Sequence, residues 1–84
     1  MKRKEIFILK AYIKIEKFKS FSSNYFHVED LMGRTYSVSL AGNKEEVRKQ
    51  SEFIVSCADY VFAVEMSEPD MFNHREMKVL RAMK

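Results

Sequence analysis

Eighty-four residues, 46% hydrophobic and 32% charged, suit a single small folded domain and exclude a disordered or low-complexity chain. The formal net charge is +3, but seven cations (Lys2, Arg3, Lys4, Lys10, Lys14, Lys17, Lys19) face only Glu5 and Glu16 in the first nineteen residues. One side of the molecule should therefore be basic, which favours polyanions or acidic proteins as partners. Cys57 is alone, which excludes a disulfide framework and a thiolate metal cluster. The first uncharged apolar run, Ile6 to Leu9, is too short for a membrane span and argues against a secretion signal. A cytoplasmic protein without a membrane partner is the expectation.

Glu5 to Lys19 (EIFILKAYIKIEKFK) is rich in β-branched and aromatic residues and holds no Gly or Pro, which predicts a strand. With period two, Phe7, Leu9, Ala11, Ile13 and Ile15 share a core face. Ile6, Ile8, Lys10, Tyr12, Lys14, Glu16 and Phe18 share the other. Fifteen extended residues would reach roughly 50 Å, longer than so small a domain. The strand must bend, coil around a barrel or break, and a bulge near Lys10–Tyr12 would serve.

Ser20 to Asn24 reads as a loop. Tyr25 to Asp30 alternates again, with Phe26 and Val28 inward and Tyr25, His27 and Glu29 outward. Asp30-Leu31-Met32-Gly33 predicts a hairpin turn with Gly33 at positive φ. Tyr36, Val38 and Leu40 then face the core, while Thr35, Ser37 and Ser39 face water. Three such strands with short links predict an antiparallel meander.

Asn43 with Glu46 three residues on forms a capping-box pattern, which predicts a helix from about Lys44 to Cys57. Its inner stripe is Val47, Ser51, Ile54 and Ala58, flanked by Cys57. Tyr60 to Met66 reads as a buried fourth strand. Ser67, Pro69 and Asp70 resemble a second helix start. The spacing that follows places Phe72, Val79, Leu80 and Met83 on one face and His74, Lys78 and Arg81 on the opposite one. Met71 and Met77 flank that polar face. The predicted order is β-β-β-α-β-α, an α+β fold built on an antiparallel sheet.

Lys10, Tyr12 and Lys14 on one strand face combine a flat π-surface with flanking cations, the pairing that single-stranded nucleic acid requires. The competing reading makes Tyr12 and Phe18 a second apolar layer with lysines snorkelling at its rim. His74, Lys78, Arg81 and Met77 form a secondary candidate surface, where methionine beside basic residues suits an adaptable protein contact.

The long first strand, FHVEDLMGRTYSV and the helix before the next strand together resemble the oligonucleotide/oligosaccharide-binding (OB) barrel over residues 5–64. In that fold the second and third strands often meet at an acidic residue, two spacers and a Gly, as Asp30 and Gly33 do. The resemblance implies a partly open OB-like barrel. It also implies a ligand face at Lys10, Tyr12, Lys14, Tyr25, His27 and Arg34. The chain departs from the pattern in strand count, since a helix stands where the fifth strand should be.

Gly33 and Gly42 stand alone, so no phosphate loop is present. His27, His74 and Cys57 are too far apart in sequence for a local metal motif. Glu45–Glu46 and Glu29–Asp30 have local duties in helix dipole and turn. No cofactor, metal or catalytic residue is expected, and the chain reads as no enzyme. The first functional expectation is a small adaptor or inhibitor that occupies a partner protein, as compact host-interaction proteins of phages and other mobile elements do. The alternative is a single-stranded nucleic-acid-binding domain using the first sheet face. A third reading is a subunit, or a homodimer, that pairs through a first strand left as a sheet edge.

Overall fold

A computed structural model describes residues 7–15 and 26–83. The remaining parts of the predicted first strand, the Ser20–Asn24 loop and Tyr25 lie outside the described residues. Five strands, β1 (Phe7–Lys14), β2 (Phe26–Asp30), β3 (Thr35–Leu40), β4 (Val61–Ser67) and β5 (His74–Met83), form a closed barrel in the order β1-β2-β3-β5-β4. One helix, α1 (Lys44–Ser56), connects β3 to β4.

The period-two pattern of β1 survives into the fold. Ile13 and Ile15 are buried and Phe7, Leu9 and Ala11 half-buried, whereas Ile8, Lys10, Tyr12 and Lys14 are exposed. β1 pairs antiparallel with β4 from Phe7 to Ile13 and with β2 at Ile13 and Lys14. Its register irregularity falls between Phe7 and Leu9, not at Lys10–Tyr12. The predicted meander β1-β2-β3 is present.

The predicted second helix does not form. Residues 74–83 are β5, which lies parallel to β3 and antiparallel to β4. Without β5 both β3 and β4 would present unpaired backbone to water, so the ladder on each side outweighs the helix preference of Arg, Glu, Met, Lys and Leu. Met77 is therefore inside the barrel at 0% exposure, opposite Met66, and is no part of a surface. Phe72, expected on an apolar helix face, is 81% exposed in the β4–β5 turn.

The core is Ile13, Val28, Val38, Phe62, Val64, Met66 and Met77 from the strands, Ile15 just past β1, and Ile54 from α1. The helix begins as the sequence predicts. The Asn43 Oδ1 accepts from Glu46 N at 2.9 Å, and the Glu46 Oε1 accepts from Asn43 N at 3.0 Å. Ser51 and Ile54 are its buried residues, while Ala58 beyond its end is exposed. Gln50 fastens it to the barrel. Its Nε2 donates to the Ala41 carbonyl at 2.8 Å, and its Oε1 accepts from Val79 N at 2.9 Å. Val79 sits where the β4–β5 register shifts, so the side-chain amide satisfies a donor at an interrupted ladder.

The strand directions set the two ends of the barrel. The helix leaves from the end of β3; the β2–β3 and β4–β5 hairpins both turn at the opposite end. That end is closed by Tyr36 and Arg75. The Tyr36 hydroxyl donates to Asp30 Oδ2 at 2.9 Å, the Arg75 guanidinium lies 5.6 Å from the Tyr36 ring centroid, and Arg75 donates to the Ser67 carbonyl at 2.9 Å.

Candidate functional site

The outer barrel face is built from residues that the pleat turns away from the core, and the strand registers set them in rows. Lys10 lies opposite Glu65, which lies opposite Lys78. Tyr12 lies opposite Ala63, which lies opposite Arg81. Lys14 lies opposite Glu29, which lies opposite Thr35. His27 lies opposite Ser37, which is the parallel partner of His74. Adjacent members of a row are about 5 Å apart by ordinary strand spacing.

The rows bring together residues that the sequence assigned to two surfaces. Lys10 and Tyr12, expected on a first-sheet face, share a face with Lys78 and Arg81, expected on a second helix. Barrel closure through β4 joins them. Lys14 and His27 are also on this face, and both line a shallow depression of ≈ 340 Å³ together with Glu29, Leu31 and Thr35. Arg34 stands apart at the β2–β3 turn, where its Nε is 3.5 Å from Asp30 Oδ2. His74 is half-buried at the start of β5, and Met77 is in the core.

The electrostatics of the face differ from a plain basic patch. Lys10 and Lys14 each have a glutamate directly opposite, so charge alternates across the strands. Tyr12 (48% exposed) is the aromatic group of the central row. The strongest local electrostatics lie at the barrel end. Partial burial opposes ionisation of Asp30, but the Arg34 amide, the Tyr36 hydroxyl, the Met32 amide and the Arg34 charge outweigh it and lower its pKa below 3.8. Burial and the Asp30 carboxylate push the Tyr36 hydroxyl above its ordinary 10.0.

The sequence placed Leu31-Met32 in a hairpin turn, as found, but missed the second hairpin tip, Met71-Phe72; the four residues are 59%, 78%, 88% and 81% exposed. The available signal was the spacing of Asp30 to Gly33, repeated by Asp70 to Asn73. Among the described residues no group of three or more His, Cys, Asp or Glu could hold a metal ion. No described helix is long and apolar enough to cross a membrane. No protein-family model, curated protein or solved structure matches the chain.

Proposed function

We propose that the chain is a small non-catalytic binding protein, an adaptor or inhibitor, that acts by occupying a partner protein with the outer face of its barrel. The observation that carries this reading is the alternation of charge in that face: Lys10–Glu65–Lys78 and Lys14–Glu29 flank the Tyr12–Ala63–Arg81 row. A nucleic-acid backbone asks for a run of cations. A protein surface of mixed sign is matched by alternating charge around aromatic and arginine anchors.

A second reading rests on the strand order. β1-β2-β3-β5-β4 with a helix between β3 and β4 is compatible with an OB-like barrel, a fold that binds oligonucleotides on a face including strands two and three. In that reading Tyr12 stacks a base, Lys10 and Lys14 neutralise phosphates, and His27 lies beside them.

One pair of experiments separates the two. A protein recovered stoichiometrically with the tagged chain is purified, and its affinity is measured for wild type and for Tyr12→Ala/Arg81→Ala. The first reading expects a loss of at least about tenfold, the size of a central aromatic or arginine anchor. Undiminished affinity in the double variant removes the assigned face. In parallel, anisotropy of short labelled single-stranded DNA and RNA is followed at low and near-physiological salt. Salt-sensitive binding that falls by about 1–3 kcal/mol in Tyr12→Ala establishes the second reading instead.

A further inference from the structure

The two hairpins at the end of the barrel away from the helix are built alike. In the first, Asp30 Oδ1 accepts from Met32 N and Arg34 N, both at 2.9 Å. Gly33 N donates to the Asp30 carbonyl at 3.1 Å, and Asp30 N donates to the Arg34 carbonyl at 2.9 Å. In the second, Asp70 Oδ1 accepts from Phe72 N at 2.8 Å and His74 N at 2.9 Å. Asn73 N donates to the Asp70 carbonyl at 2.9 Å, and Asp70 N donates to the His74 carbonyl at 2.8 Å. The fourth residue is left-handed in both, with φ 84° at Gly33 and 61° at Asn73. Each turn thus holds a pair of large apolar side chains outward on a frame that satisfies four of its own amides. Such a tip can lose its water without stranding those donors.

The tips also stand side by side. β3 and β5 start from the two turns and run parallel with Ser37 against His74, so the turns are offset by about three residues, roughly 10 Å, along the strands. The Tyr36 contacts with Asp30 and Arg75 tie the two hairpins together. Together, Leu31, Met32, Met71 and Phe72 offer on the order of 600 Å² of apolar surface, taking about 200 Å² for a large side chain. That is at the upper limit of what an ordinary monomer exposes in one patch.

The geometry points to a second copy of this chain as the occupant: the two tips form a self-complementary interface in a two-fold dimer, with Leu31-Met32 of one protomer against Met71-Phe72 of the other. Two features select a second copy. Charge is complementary between the tips, since Arg34, 3.5 Å from Asp30 Oδ2 yet 67% exposed, stands beside the first and Glu68 is an exposed anion beside the second. A two-fold axis between them brings each Arg34 to the partner's acidic turn, twice. The available area also approaches the ~800 Å² per partner of a standard interface. The Tyr12–Ala63–Arg81 row of the outer face remains free in this arrangement, so the dimer does not rest on the function proposed above.

Sedimentation equilibrium of the full chain across roughly 1 μM to 1 mM tests this, a span that reads dissociation constants from micromolar to millimolar. The expected result is a shift from the 10.0 kDa monomer to a dimer with rising concentration. Met32→Ser/Phe72→Ser should weaken the dimer at least about tenfold, since both side chains lie at its centre. Both positions are exposed, so circular dichroism should report an unchanged fold. Arg34→Glu should weaken it too, and Arg34→Glu/Glu68→Arg should restore it. Val55→Ser, an exposed apolar position on α1, should change nothing. A monomer throughout the range overturns the proposal. So does a dimer that ignores the tip substitutions, or a charge swap that does not rescue.

Discussion

Asp30 ties the first hairpin to the end of the barrel. One carboxylate oxygen fixes the β2–β3 turn through two amides, and the other accepts from Tyr36 at the barrel end. Its pKa is held below 3.8, so its contribution to stability is complete above that value and disappears as pH falls through the lowered folded value. Tyr36 runs the other way. Its folded pKa lies above 10.0, so its contribution is complete below pH 10.0 and is lost as pH rises through the raised folded value. Thermal midpoints measured against pH should therefore show an acid limb that Asp30→Asn flattens and an alkaline limb that Tyr36→Phe flattens. Asparagine keeps the turn acceptor but puts an amide N–H where Tyr36 found a carboxylate oxygen, so the variant removes the charge and that acceptor together. Parallel acid limbs for wild type and Asp30→Asn would refute this assignment.

At the scale of elements, the two hairpins show how one piece of chemistry serves different structures. An Asp followed at the fourth position by a residue that tolerates left-handed backbone is a turn signal. Asp at the start of an apolar run is equally a helix-start signal, because in both cases the carboxylate accepts nearby amides. The Gly at position 33 resolved the ambiguity for the first hairpin. Asn73 and the preceding Pro69 left it open for the second. The backbone angles yield a contrasting pair of expectations. Gly33→Ala should destabilise by about 1–2 kcal/mol, the cost of a left-handed residue with a Cβ. Asn73→Gly should change stability by less than about 1 kcal/mol, because glycine adopts that conformation freely but loses more entropy on folding. Urea denaturation of both variants checks this, and equal losses would contradict the assignment of Asn73 to the same turn position.

For the whole molecule, closure is the decisive event. β5 is paired on both sides, and its Met77 fills the barrel interior against Met66. Met77→Ala should cost about 2–5 kcal/mol, as for any large side chain removed from a packed core. An exposed methionine on a surface helix would cost about 0.5 kcal/mol or less. A chemical denaturation curve for this one variant distinguishes a fifth strand from a second helix. A near-neutral result would exclude the closed barrel.

The sequence by itself determined everything whose pattern is local. The alternation in residues 7–15, 26–30 and 35–40 fixed which side chains are inside, because a strand has a period of two whatever it pairs with. Asn43 and Glu46 fixed where the helix starts, since a capping box closes within four residues. These local signals also placed Lys10, Tyr12, Lys14 and His27 on the outer face. Tertiary structure alone decided the rest. Residues 74–83 have helix-forming composition and became a strand because β3 and β4 each required a partner. That change buried Met77 and set Lys78 and Arg81 beside Lys10 and Tyr12, with Glu65 and Ala63 between them. It also lifted Met71 and Phe72 onto a tip beside Leu31 and Met32. Pairing between strands distant in sequence leaves no mark in any one segment, so the fifth strand and the surfaces it creates could be read only from the closed barrel.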